Sequence, residues 1–163
     1  MLPKDPHRIS RKVLVERSRK LNKEELHVWL QAATGQHITA AEFEKILRER
    51  LPKESFFQHE IMEALTTEYP GAFVWKAAAG PYSRQGIPDV CCVIDGHFFG
   101  FEVKRPYLGE PSKIQERTIE EIEQAGGTAA VISFGHQALW EVTKWKMSKK
   151  QKASAGLPCN SHS

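Results

Sequence analysis

The chain has 163 residues, of which 40% are hydrophobic, so it can bury one folded core and does not have the composition of a disordered protein. No apolar run approaches the length of a membrane span, and the amino-terminal MLPKDPHRIS lacks the apolar stretch of a secretion signal. We therefore expect a cytosolic protein with no membrane partner. The three cysteines have neither a disulfide framework nor a zinc-ligand spacing, which predicts reduced thiols, with Cys91 and Cys92 in the core.

The formal net charge of +3 is distributed unevenly along the chain. Residues 1–23 carry a net charge of +6 and residues 144–163 carry +5, which leaves −8 for the middle. Two basic ends suit a polyanion, because each phosphate that is neutralised releases counterions and adds affinity. For residues 148–163, which are basic and contain Ser, Gly and Pro, the alternative is a disordered tail that only keeps the protein in solution.

Residues 1–50 are predicted to form a basic, helical amino-terminal segment. Asn22-x-x-Glu25 and Thr39-x-x-Glu42 are capping boxes that start helices over about 23–34 and 40–50, and a basic helix precedes them. The unit has the size of a helix-turn-helix, yet two helices joined by a short turn are common. We expect it to pack on the rest of the chain or on a second subunit.

Residues 51–147 are predicted to form an α/β core. The pattern indicates helices over 54–68, 112–125 and 136–147, strands over 72–76 and 128–134, and a hairpin between the first strand and the second helix. The core order is therefore αβββαβ, followed by a last helix. A right-handed crossover into the last strand makes the sheet mixed, with helices packed on it.

The hairpin segment GIPDVCCVIDGHFFGFEVKRP, residues 86–106, carries three charged side chains at the edges of strands that should be buried. Asp95-Gly96 is a strong signal for a two-residue turn, and the register that it sets places Asp89 directly opposite Glu102. Their Cβ atoms would then be about 5 Å apart. Lys104 shares that face by the period of two, whereas Phe99, Phe101 and Val103 face the core on the other side.

Two carboxylates that face each other on a sheet are destabilising unless something compensates their charges. A divalent cation does so, because Mg²⁺ is typically held by one or two carboxylates together with water and substrate phosphates. An adjacent ammonium, Lys104, could orient the bound water. The alternatives are a structural triad in which Lys104 neutralises the two acids, and a slipped register in which they never meet.

These motifs resemble a known nuclease family. Pro88-Asp89, twelve intervening residues and Glu102-Val103-Lys104 match the signature of the PD-(D/E)XK nuclease superfamily. The preceding Gly86-Ile87 and the following Gln115 make the segment similar to the VRR-NUC branch, which includes small phage and bacterial nucleases. The resemblance covers about residues 54–135. It implies a restriction-endonuclease-like fold, a Mg²⁺ or Mn²⁺ cofactor without an organic one, and hydrolysis of phosphodiester bonds in DNA, including branched or junction DNA.

The resemblance also implies roles for individual residues. Asp89 and Glu102 would hold the metal, Glu54 would complete or extend the site, and Lys104 would position the attacking water. Gln115 corresponds to the glutamine that follows the ExK strand in the family. Members of this branch often pair as homodimers, so a homodimer is a further expectation.

The residues themselves leave alternatives open for Glu54 and Gln115. Glu54 continues the stripe of Phe57 and Ile61 on the predicted helix, whereas Glu60 lies toward its flank as a competing candidate. Glu54 could also be only a favourable acid in a first helical turn. Gln115 has the right spacing to close a capping box with Ser112.

The loop over residues 77–86 should border the site and offers contacts for nucleic acid. Arg84 could bind a phosphate and Tyr82 could stack on an unpaired base, with Lys76 and Arg105 as further phosphate contacts. The alternative is an ordinary connecting loop. The sequence thus predicts a metal-dependent nuclease that acts on DNA; the rival interpretation is a nucleic-acid-binding module that retains the fold without catalysis.

Overall fold

The structure is a computed structural model that describes residues 3–78, 80 and 84–155. A short 3₁₀ turn, Pro6–Arg8, precedes three amino-terminal helices and the α/β core. The helices are α1 (Arg11–Ser18), α2 (Lys23–Thr34), α3 (Ala40–Arg50), α4 (Glu54–Glu68), α5 (Lys113–Gln124) and α6 (Gly135–Ala155). The strands are β1 (Phe73–Lys76), β2 (Val90–Ile94), β3 (His97–Val103) and β4 (Thr128–Ile132).

The four strands form one mixed sheet in the order β1-β2-β3-β4. Strand β2 pairs antiparallel with both β1 and β3, whereas β4 lies parallel to β3 after the crossover through α5. The predicted αβββαβ order and mixed α/β sheet are therefore confirmed. The register is also as predicted, since Ile94 pairs with His97 and Val90 with Phe101.

The amino-terminal helices pack against the α/β core, as expected for this segment. Their apolar residues join one continuous core with those of the sheet and of α4. Asn22 closes a complete capping box with Glu25, and the Thr39 side chain accepts the Glu42 backbone N–H. The Tyr107 hydroxyl, on the loop after β3, donates to the Ser18 carbonyl and fixes the end of α1 to the core.

The last helix is longer than the sequence pattern predicts. It ends at Ala155 and not near residue 147, so residues 148–155 of the expected tail are helical. No Gly or Pro interrupts these residues, and Ala, Lys and Gln favour a helix. The start of the helix also shortens β4, because the Gln137 side chain accepts the backbone N–H groups of Ser133 and Phe134. Residues 156–163 lie outside the described part of the chain.

Cys91 and Cys92 are buried and unpaired, as predicted. Phe99, Phe101 and Val103 are fully buried core residues. Within the described residues, none of the helices combines the length and the apolar character that a membrane crossing requires.

Candidate active site

The carboxylates of Asp89 and Glu102 meet at one end of the hairpin. Asp89 directly precedes β2, and its carbonyl accepts the Ala77 N–H at 2.9 Å, which carries the pairing of β1 and β2 one residue further. Its side-chain Oδ2 accepts the Val103 N–H at 2.8 Å. Glu102 lies inside β3 and is only 1% exposed, and the charge of Asp89 acts on its carboxyl group. The facing pair that the turn predicts is present.

Each carboxylate has one oxygen bound by the protein. Glu102 Oε1 accepts hydrogen bonds from Lys104 Nζ at 2.6 Å and from the Gln115 side-chain amide. Asp89 Oδ2 is held by the backbone, as described above. These contacts use Asp89 Oδ2 and Glu102 Oε1. The other oxygen of each acid takes no part in them.

Burial and neighbouring charges change the pKa values of Glu102 and Lys104. Burial, followed by the negative charge of Asp89, raises the pKa of Glu102 to about 7, although the hydrogen bond from Lys104 opposes this change. Burial alone would lower the pKa of Lys104. The hydrogen bond and charge of Glu102, together with the other nearby acids, more than offset that effect and raise it. Lys104 is therefore an ammonium donor at neutral pH in this arrangement.

Gln115 performs two tasks that the sequence presented as alternatives. Its side-chain oxygen accepts the Ser112 backbone N–H at 2.8 Å and closes the capping box of α5. Its side-chain amide donates to Glu102 in the same conformation. The start of α5 is thereby fixed to the carboxylate pair, and the orientation of Glu102 depends on a helix cap.

On α4, Glu54 and not Glu60 lies near the carboxylate pair. Burial and then the charge of Asp89 raise the pKa of Glu54, while Lys104, Arg105 and Lys76 oppose the change. Glu60 is bound elsewhere, to the Arg19 guanidinium at 2.8 Å and to the Gly135 backbone N–H at 3.3 Å.

Three acids are not drawn together into one cluster. Within residues 3–78, 80 and 84–155, no group of three or more His, Cys, Asp or Glu side chains has the geometry of a metal site. The structure thus provides a pair of carboxylates with a third nearby. The place of Glu54 as a metal ligand stays a prediction.

The expected phosphate contacts lie in different surroundings. Arg84 lines a cleft of about 340 Å³ together with Asp89 and Gln115, and its guanidinium pairs with Glu121 on α5. Lys76 is exposed at the end of β1 and close enough to act on the charge of Glu54. Arg84 therefore lies in the same cleft as Asp89, whereas Lys76 lies near Glu54.

Arg105, the third expected phosphate contact, binds the amino-terminal helices. Arg105 donates to the carbonyls of Arg48 at 3.0 Å and Leu51 at 2.8 Å, so it closes the end of α3 and we assign it a structural role. Tyr82 lies outside the described residues, and its stacking role stays a prediction.

Gly86 fixes one wall of this cleft, a role that sequence reasoning did not single out. Its φ is +79°, and a Cβ atom there would lie 2.7 Å from Thr118 Oγ1 and 2.9 Å from the Ile114 carbonyl oxygen. Only glycine allows the loop to approach α5 this closely. The Val103 N–H bond to Asp89 was missed as well, because every residue except proline carries such a donor and the sequence does not mark this one.

Comparison with known proteins gives one structural match. No protein-family model matches the chain, and no curated protein matches it either. Among solved structures, one described as a VRR_NUC domain matches, with 20% sequence identity and a TM-score of 0.43. The alignment covers 53% of this chain and 94% of that chain. The chain is similar to a VRR_NUC domain. The sequence motif over residues 86–115 resembles the same VRR-NUC branch.

The ionisation of Glu102 makes stability depend on pH. Its pKa is about 7 in the folded chain and 4.5 ordinarily, so the folded state holds its proton more tightly. This contribution is complete below pH 4.5 and is lost as the pH rises through 7. We expect the unfolding free energy of the wild type, relative to Glu102→Gln, to fall by about 1–3 kcal/mol between pH 4.5 and pH 8.

Urea unfolding of both proteins in EDTA at several pH values measures this difference. Subtraction of the variant removes the other titrating groups, since glutamine cannot ionise. A difference that stays constant across the range would show that Glu102 carries its charge at no cost.

Proposed function

We propose that this chain is a metal-dependent nuclease that hydrolyses phosphodiester bonds in DNA. The observation that supports this most directly is the pair of carboxylates, Asp89 and Glu102, each held by one oxygen, with Asp89 lining a cleft. Such a pair has the number and type of ligands with which proteins hold Mg²⁺ or Mn²⁺.

The residues present fit such an ion. Asp89 and Glu102 would hold it, and the raised pKa of Glu102 reflects first its burial and then the charge of Asp89. Gln58, one helical turn after Glu54, has a buried side-chain oxygen that accepts no hydrogen bond from the described residues. An ordered water is the usual partner of such an atom. The bound ion would supply an activated water and offset negative charge on the phosphoryl oxygens.

The surrounding residues orient and stabilise the reacting groups. The Val103 N–H and the Gln115 amide hold Asp89 and Glu102 in place, so the two acids need not reorganise during the reaction. Lys104, protonated and fixed on Glu102, offers a cation for the attacking water and for the charge that develops on the phosphoryl group. The charge of Glu54 interacts with those of Asp89 and Lys104, and we assign Glu54 to completing the site.

Lys76 and Arg84 would hold the flanking phosphates. Arg84 would exchange its exposed pairing with Glu121 for a phosphate, which presents similar oxygen acceptors to a guanidinium. Exposed ion pairs are weak, so this exchange has a small cost.

The rival function is a nucleic-acid-binding module without catalysis. The ion pair between Lys104 and Glu102 at 2.6 Å favours this rival function, because Lys104, Glu102 and Asp89 would then form a purely structural triad. The two functions differ in one observable, which is turnover in the presence of a divalent ion.

The Asp89→Asn variant tests the nuclease directly. Labelled single-stranded, duplex, flap and four-way-junction DNA would be incubated with Mg²⁺, Mn²⁺ or EDTA. We expect the wild type to cleave at least one of these substrates only with a divalent ion, and Asp89→Asn to cut it about 10²-fold more slowly or less. The matched control is Asp95→Asn, which makes the same change in the exposed turn of the same hairpin and should retain activity.

Two results would count against the proposal. Full activity of Asp89→Asn would overturn the assignment of the site. DNA binding by the wild type without cleavage of any of the four substrates would support the rival module.

The two glutamates of α4 provide a second matched test. Glu54→Gln should lower the cleavage rate at least about tenfold, because it removes a charge next to Asp89 and Lys104. Glu60→Gln should retain the rate within about twofold and instead lower the melting temperature, because Glu60 holds Arg19 and the start of α6. Cleavage assays and thermal unfolding of both variants measure this. A loss of cleavage in Glu60→Gln alone would reverse the assignment.

A further inference from the structure

The two faces of the sheet are covered unequally. Helix α4 packs on β1, β2 and β3 on one face, where Val90, Cys92 and Phe99 are fully buried. On the other face α5 packs on β3 and β4. The β1 edge of that second face carries Phe73, whose side chain is 69% exposed.

Three aromatic side chains form a strip on this second face. The ring centroids of Phe73 and Trp75 are 5.3 Å apart, and those of Trp75 and Phe98 are 6.2 Å apart. Trp75 and Phe98 are half-buried. We call Phe73, Trp75 and Phe98 the aromatic strip.

The strip leads along the sheet to the carboxylate pair. Phe73, Val93 and Phe98 form one row across the strands, and Trp75 with Cys91 belongs to the next row. Ala77 and Asp89 continue the pairing as the third row. Rows on one face are about 7 Å apart, so Trp75 lies one row from Asp89 and Phe73 lies two. The strip and the carboxylates therefore share one face.

The extent and charge of the surface favour nucleic-acid bases over a second subunit. An aromatic side chain buries about 150–250 Å² even when it is fully covered, so three partly covered rings fall short of the roughly 800 Å² per partner of a stable interface. A base presents a flat π-face that matches one ring. Arg84 lines the cleft together with Asp89, where a strand's phosphates would need positive charge.

We propose that Phe73 and Trp75 stack the unpaired bases of the strand that is presented to Asp89 and Glu102. The substrate class would then be DNA with unpaired nucleotides, such as a single strand or a single-stranded arm, and not an uninterrupted duplex. Stacking on aromatic side chains tolerates any base sequence, since every base has a π-face. This assignment of substrate rests on the proposed nuclease function, whereas the stacking itself does not.

The test compares two labelled oligonucleotides of equal length and charge, an oligothymidylate and one whose central positions are abasic. Fluorescence anisotropy in EDTA measures binding of each without turnover. We expect the wild type to bind the oligothymidylate at least about tenfold more tightly than the abasic oligonucleotide, because stacking of one or two bases contributes that much affinity. Phe73→Ala/Trp75→Ala should bind the two oligonucleotides equally.

Two further variants control for folding and for general loss of aromatic surface. Phe73→Leu/Trp75→Leu retains apolar bulk on β1 and removes the π-faces, so it should fold and also lose the preference. Trp140→Ala removes a side chain that is 57% exposed on α6, and it should retain the preference.

An unchanged preference in the leucine variant would overturn the proposal. So would light scattering that shows a wild-type dimer and a monomeric leucine variant with base preference intact, because the strip would then be a subunit interface. Since binding is measured in EDTA, a wild type that cleaves nothing would refute the nuclease and not the stacking. An inactive Asp89→Asn with an unchanged preference in the leucine variant would refute the stacking alone.

Discussion

The main constraint on this structure is that two like charges face each other across the β2–β3 hairpin. Asp89 and Glu102 lie opposite each other at the end of a sheet whose central strand is buried on both faces. Facing carboxylates weaken a sheet, and burial increases that cost. Lys104 compensates part of this negative charge, and the Val103 N–H and the Gln115 amide hold the two acids in place.

The arrangement around the pair explains why a small chain uses so many elements. The turn at Asp95-Gly96 sets the register, the N-terminal cap of α5 brings Gln115 onto Glu102, and the residue directly after β3 is Lys104. Helix α4 adds Glu54 from outside the sheet. Glu102 thus lies inside a strand and Asp89 directly precedes one, whereas Gln115 and Glu54 come from the first turns of helices. Such a site is preorganised, because hydrogen bonds within the protein hold both carboxylates.

Much of this could be predicted from the sequence, because the signals are local. Capping boxes define the starts of α2 and α5, apolar periodicity places α4 over Glu54–Glu68, and an Asp-Gly turn fixes which residues of a hairpin face each other. The carboxylate pair follows from that register. Only the end of α6 was misplaced among the helices, because a basic, polar segment without a helix breaker resembles a tail as much as a helix.

The contacts that the sequence could not predict join residues far apart in the chain. Arg105 binds the carbonyls that end α3, and Arg84 pairs with Glu121 on α5. Neither partner is marked by spacing, because these pairings depend on how helices lie on the sheet. The choice between Glu54 and Glu60 is of the same kind. Both lie near the apolar stripe of α4, and the contacts of Glu60 with Arg19 and Gly135 separate it from Glu54, on which Asp89 acts.

The central claim is that the carboxylate pair binds a divalent cation. The most direct measurement is thermal unfolding during a titration with Mn²⁺, for the wild type, Asp89→Asn and the control Asp95→Asn. An ion that binds only the folded state stabilises it by about 2.7 kcal/mol at a hundredfold excess over its dissociation constant. We expect a saturable rise in melting temperature for the wild type and Asp95→Asn, and none for Asp89→Asn. The same rise in all three proteins, or no rise in the wild type, would contradict it.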